Sequence, residues 1–373
     1  MKVFVCSICG NPLFFENFRC MQCGCSLAYL PEPAVLSPIE PAPDRRQDAA
    51  GSLEGVFVAK APCAQGRFFR LCKNGIDHAA CNWAVPVEDG NPLCRACRLN
   101  EVIPDLSNSS YKEDWQRIER AKRRLIYSLL ELGLPLESRL ERPKGGLGFS
   151  FKAERPSGPK ILTGHDAGLI TINVAEADDP VREKMRTQMG EPYRTVLGHF
   201  RHEIGHYYWD RLIRDSEALA PFRDTFGDER TSYEASLERH YRDGAPPNWP
   251  LDYVSAYASM HPWEDWAETW AHVLHMVDTL DTARAYGLAL RPEFGRAADD
   301  LTVATRKLDF GIFDQLLEGW VPVTVALNSL NRSMGMPDLY PFVLSERVIR
   351  KLRFVHETIH RARQPGATRA PSA

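Results

Sequence analysis

The sequence lacks any continuous apolar run of the 18 or more residues that a membrane-crossing helix requires. It also lacks a dominant charge. Lys and Arg total 46 against 49 Asp and Glu, a formal net charge of −3, which argues against a broad polyanion-binding surface. Internal repeats are absent. Met1-Lys2-Val3-Phe4-Val5 runs directly into Cys6 with no apolar stretch of a secretory leader. The expectation is a cytoplasmic chain with no membrane span. Basic runs are short, as in Lys122-Arg123-Arg124 and Arg347 to Arg353, and read as solvated helix faces.

What the chain does have is ten cysteines, several of them in close pairs. In a reducing compartment, paired cysteines favour metal over disulfides. Cys6-Ser7-Ile8-Cys9-Gly10 and Cys20-Met21-Gln22-Cys23-Gly24 form CxxC-x10-CxxC. Each CxxC is a turn that brings two thiolates to one ion, so Cys6, Cys9, Cys20 and Cys23 predict a structural zinc site, with Cys25 to spare. The few residues around it cannot bury a useful core, so metal binding is expected to supply their folding free energy. Cys72, Cys81, Cys94 and Cys97 predict a second four-cysteine zinc site, with Cys63 the alternative to Cys72.

His202-Glu203-Ile204-Gly205-His206 is an HExxH pattern. Residues four apart share a helix face, so His202 and His206 can bind one Zn²⁺. Glu203 is then placed to take a proton from water activated by the metal. Helical spacing of Tyr193, Val196, Leu197 and Phe200 predicts a helix that opens near Pro192 and contains both histidines. Leu169 to Val174 reads as a strand ahead of it. An extended edge strand followed by an HExxH helix is the zincin order, in which that strand can pair with a peptide substrate.

A catalytic zinc site needs a third protein ligand and an open position. The places where a metzincin carries Gly and His hold Trp209 and Leu212. The segment His261 to His272 offers Glu264 and Glu268 on one helix face, the first as ligand and the second as acceptor for a ligand imidazole N–H. Asp210, four residues after His206, is the rival third ligand.

Ser255-Ala256-Tyr257 followed by Glu264-Asp265-Trp266-Ala267-Glu268 resembles the gluzincin subgroup that includes the catalytic domain of anthrax lethal factor. That resemblance implies Glu264 as third ligand and Tyr257 as a phenol facing the metal, able to donate to an oxyanion. Tyr253, one turn earlier, is the fallback. Together with Cys81-Asn82-Trp83, Cys94-Arg95-Ala96-Cys97-Arg98-Leu99 and Ile103-Pro104-Asp105-Leu106, the whole pattern resembles a family of bacterial zinc-binding metallopeptidases with an N-terminal zinc-ribbon region.

The expected fold class is α+β. A zincin-like, mostly helical domain with a small sheet would span 108–363, opened by a long helix near Asn108. It would follow a four-cysteine zinc ribbon at 1–27, a Pro-rich linker at 28–55 and a second four-cysteine zinc module at 56–107, and precede a disordered tail at 364–373. The expected activity is peptide-bond hydrolysis with one catalytic and two structural zinc ions. A peptide or protein is the substrate, and the zinc modules are open to a protein or nucleic-acid partner. Two other readings fit the same residues. One is a non-catalytic adaptor on a zincin scaffold. The other is a protease acting on nucleic-acid-bound proteins, tested by salt-dependent DNA affinity.

Overall fold

The structure is a computed structural model that describes residues 2–42, 55–154, 158, 160–189, 195–293 and 301–363. The expected tail at 364–373, and the helix opening expected near Pro192, lie outside these residues. The fold is α+β, and the described residues form two compact units, 2–163 with 169–177 and 164–168 with 178–363. Among them, no helix is long and apolar enough to cross a membrane.

In the first unit, β1 (Phe4–Val5) and β2 (Pro12–Leu13) form a hairpin around the first CxxC. Gly10 and Gly24, one after each knuckle, take positive φ of 75° and 73°, which an L side chain resists. Then β3 (Leu27–Leu30), β4 (Val35–Pro41), β5 (Val56–Ala59), β6 (Phe68–Leu71) and β7 (Ala84–Pro86) form an antiparallel sheet in that order. The short helix α1 (Lys73–His78) lies between β6 and β7.

This sheet corrects the expected linker at 28–55. Its prolines do not keep the segment out of a sheet. Pro31 and Pro33 fall in the turn after β3, while Leu36 and Ile39 of β4 are buried. β4 pairs with β3 through Val35 to Pro38 and with β5 through Ile39 to Pro41, so one sheet joins the two cysteine-rich stretches.

Further along come β8 (Asn100–Val102), the long helix α2 (Ser109–Glu131) and β9 (Gly148–Lys152). Asn108 caps α2 by accepting from the Ser110 and Tyr111 amides. Trp115, Ile118, Leu125 and Leu129 of α2 are fully buried. Its Tyr127 joins Phe15 and Tyr29 in an aromatic cluster that also includes Phe4 and Trp83. The strand after β10 (Gly164–Asp166) is β11 (Leu169–Asn173), which runs parallel to β9.

β10 itself belongs to the second unit, which is otherwise mainly helical. It contains α3 (Asp179–Met189), α4 (Val196–Leu212), α5 (Leu219–Phe226), α6 (Tyr233–Asp243) and α7 (Pro262–Ala285). A small ladder of β12 (Ala289–Leu290) and β13 (Val303–Ala304) precedes α8 (Phe313–Ser333) and α9 (Glu346–Arg361). α7 is the central helix and packs against α4, α5, α8 and α9. Its crossing with α4 is close because Gly205 has no side chain: a Cβ there would lie 3.0 Å from Ala267 Cα and 3.2 Å from Trp270 Cβ. Trp266 Nε1 donates to the Gly205 carbonyl at 2.8 Å, and the Tyr208 and Trp270 rings stack at 4.9 Å. This crossing sets the HExxH face of α4 against the first turns of α7.

Candidate metal centres

Thr195 starts α4 by accepting from the Gly198 amide at 2.9 Å, which leaves the HExxH residues well inside the helix. His261 caps α7 in the same way, accepting from the Trp263 amide at 3.1 Å, and Pro262 occupies its first turn. Glu264 therefore sits in the first turn of α7, facing α4. Its Oε2 is 3.0 Å from His202 Nε2 and 3.5 Å from His206 Nε2, and the two Nε2 atoms are 3.1 Å apart.

A tetrahedral zinc ion with bonds of about 2.0–2.2 Å holds its ligand atoms about 3.3 Å apart. The three observed spacings match that figure. Glu264 Oε2 is also buried without any hydrogen bond, an expensive state for a carboxylate oxygen unless a cation faces it. The residues thus fit a zinc ion.

The surrounding shell is specific. His202 Nδ1 is 2.7 Å from Glu268 Oε1, and Ser255 Oγ donates to Glu268 Oε2 at 2.6 Å. Tyr233, on α6, donates its O–H to Glu264 Oε1 at 2.9 Å. That bond occupies one carboxylate oxygen and leaves the other toward the histidines. Tyr257 lies with its ring 6.1 Å from the His202 ring and interacts with Tyr233. The Trp263 ring covers His206 at 3.8 Å, and His165 of β10 stacks on His206 at 6.3 Å. Sequence reasoning missed Tyr233, Trp263 and His165. Tyr233 stands 31 residues before Glu264 on another helix, where no local spacing marks it. Ser255 was visible as part of the Ser-x-Tyr pattern, but without its partner.

The electrostatics follow from burial and close charge. Burial raises the Glu203 pKa above the usual carboxylate range, despite the neighbouring His202 and His206. Burial also opposes ionisation of Glu268, but its bond to His202 outweighs this and lowers it to about 2. For Tyr257, burial and the nearby Glu264 raise the pKa, so the phenol keeps its proton.

The rival ligand Asp210 and the fallback Tyr253 have other partners, as do two further histidines of α7. Asp210 pairs with Arg214. The Tyr253 ring lies under Lys351 Nζ at 4.2 Å. His272 Nδ1 is 2.7 Å from the Tyr340 hydroxyl, and His275 Nδ1 is 2.5 Å from Arg201.

In the first unit, Cys72, Cys81, Cys94 and Cys97 bring their sulfurs within 4.8 Å of one another, and all four are buried. The Trp83 amide donates to Cys81 Sγ and the Cys94 amide to Cys72 Sγ, both at 3.4 Å. Cys63 is exposed and outside the group. The basic run Lys122-Arg123-Arg124 departs from the solvated face expected of it. Lys122 is fully buried against Glu119, and buried Arg123 donates to the Ala80 carbonyl beside the thiols. Four thiolates around a divalent ion would carry excess negative charge, which a buried guanidinium can balance.

Nearer the N-terminus, Cys6, Cys20, Cys23 and Cys25 likewise have sulfurs within 4.8 Å of one another. Cys9 Sγ is 3.6 Å from Cys20 Sγ but falls outside that set. Cys25, which the knuckle spacing leaves over, is therefore among the grouped thiols.

Residues 111–358 match a family described as "putative zinc-binding metallo-peptidase", and residues 3–108 match a zinc-ribbon domain family. Uncharacterized proteins of Mycobacterium tuberculosis and Mycobacterium bovis are 40% identical over 366 residues, covering 96% of this chain and 95% of theirs. No solved structure matches.

Proposed function

As the chain belongs to that zinc-binding metallo-peptidase family, we propose that it hydrolyses peptide bonds at a gluzincin-type centre formed by His202, His206 and Glu264. The observation that carries this reading is the approach of Glu264 Oε2, buried and without a hydrogen bond, to both Nε2 atoms. Zinc held there would act as a Lewis acid and bring the pKa of water from about 15.7 toward about 7.

The chain's own residues do the rest. Glu203 takes a proton from the attacking water and returns it to the leaving amine. Its burial keeps the carboxylate basic enough for that exchange. Tyr257 donates its O–H to the oxyanion. Tyr233 holds Glu264, and the chain Ser255–Glu268 holds the His202 ring.

We assign 108–363 to the peptidase domain by its family match, although 108–163 and 169–177 pack in one compact unit with the cysteine-rich stretches at 1–27 and 56–107, which we assign to structural zinc. The matches at 3–108 and 111–358 support this division. Ten cysteines, most of them grouped for metal, suit a reducing cytoplasm. A protein or peptide is the substrate. The ribbon surface, with Phe14, Phe18 and Met21 exposed, is open to a protein or nucleic-acid partner.

The test is cleavage of a peptide mixture, read by mass spectrometry, by the wild type and Glu203→Gln. Loss of a general base predicts roughly a 100- to 10,000-fold drop in rate, with zinc content unchanged. Cleavage by the variant at the wild-type rate would overturn the mechanism.

A further inference from the structure

The first ribbon gathers five thiols where one tetrahedral ion needs four. Zinc–sulfur bonds of about 2.3 Å set sulfurs about 3.8 Å apart in a tetrahedron. Cys6 Sγ lies 3.8 Å from Cys23 Sγ and 3.9 Å from Cys25 Sγ, while Cys23 and Cys25 are 3.4 Å apart. Cys9, on the first knuckle with Cys6, lies 3.6 Å from Cys20 and interacts with Cys6 and Cys23. Cys6, Cys20, Cys23 and Cys25 thus form one tetrad, and Cys9 stands beside it as a fifth thiol next to Cys20.

The backbone explains how Cys25 gets there. Gly24, at φ 73°, turns the chain back after the second knuckle, and the Cys25 carbonyl accepts from the Cys20 amide at 2.9 Å. Cys9 and Cys23 are exposed and Cys25 is half-buried, so small molecules reach this group. The second cluster differs on both counts. Its four thiols are all buried, and no fifth joins them among the described residues.

We propose that the first ribbon is a five-thiol metal site, in which Cys9 and Cys25 serve as alternative fourth ligands and the one left out makes the site react with hydroperoxides. The reaction balances without a further partner. The spare thiol attacks the peroxide O–O bond and gives up its proton as it does so, leaving a sulfenic acid and an alcohol, or water from hydrogen peroxide. A neighbouring thiolate then attacks the sulfenic sulfur, forming a disulfide and releasing hydroxide. The two sulfurs supply the two electrons that reduce the peroxide. The ion then loses a ligand and leaves. The ribbon would therefore report oxidant while the second cluster stays loaded.

The experiment uses the full chain as wild type, Cys9→Ser, Cys25→Ser and the double variant. Zinc per chain is measured, and then zinc release under hydrogen peroxide is followed with a chromophoric chelator. Each single variant should keep the wild-type zinc count, and the double variant should lose one equivalent. Peroxide should release one equivalent from the wild type faster than from either single variant. Loss of an equivalent in one single variant alone would overturn the interchange, as would full retention in the double. Equal release rates in Cys25→Ser and wild type would overturn the role of the spare thiol. If the double variant does not fold, the two single variants decide, because each keeps four thiols.

Discussion

Removing Glu268 tests whether its contact with His202 would set the affinity of the proposed site for zinc. Glu268 joins His202 Nδ1 at 2.7 Å to Ser255 Oγ at 2.6 Å, so it fixes both the ring orientation and which nitrogen faces the metal. A hydrogen bond to a charged group contributes about 1.5–3 kcal/mol. At about 1.4 kcal/mol per factor of ten, that is a loss of roughly 10- to 100-fold in zinc affinity, the usual effect of losing such a partner. Glu268→Ala should show it in competition against a chromophoric chelator, with a His202→Ala chain as the reference that lacks the site. Ser255→Ala should cost less, about 0.5–1.5 kcal/mol, because Glu268 remains. Wild-type affinity in Glu268→Ala would refute the reasoning.

Other consequences follow from the packing. Gly205→Ala should push α4 from α7, since the new methyl meets Ala267 backbone at 3.0 Å. Overpacking of this kind costs about 1–3 kcal/mol, read by denaturant unfolding, and zinc affinity should fall with it because His202 and Glu264 sit on the two helices. Arg123→Met leaves the second thiol group without its buried countercharge and should destabilise the fold by about 3–5 kcal/mol, with earlier zinc release on unfolding. Unchanged release would argue that the guanidinium has no such role. His272 supplies a pH dependence: burial lowers its pKa from 6.5 to about 4. A lowered folded-state pKa gives stability that is complete above about pH 6.5 and lost as pH falls toward 4. The shift amounts to about 3 kcal/mol. His272→Gln should flatten the stability curve over that window, and an unchanged slope would count against the assignment.

The sequence exposes those features whose chemistry is local. HExxH spacing and the Glu264–Glu268 pair are each contained within one helix, so periodicity alone puts their side chains on one face. The cysteine knuckles are equally compact. What pattern reading missed depends on long-range approach. Tyr233 reaches Glu264 only because α6 lies beside α7 at the site, and His165 arrives from a strand. Lys122 and Arg123 look like surface charge until the thiol group beside α2 is seen. The prolines at 31–41 suggested a linker, because proline content is a weaker guide than the apolar Leu36 and Ile39 between them. Cys25 fell outside the knuckle spacing, yet the turn at Gly24 returns it to the thiols.

The proposed activity requires a zinc ion between α4 and α7, separate from any held by the cysteine groups. Zinc per chain, measured on purified wild type beside His202→Ala, tests this most directly. About three ions should fall to two, the proposed catalytic site contributing one and the thiol groups two. Two ions in both proteins would mean that the HExxH helix holds no metal, and would contradict the proposed activity.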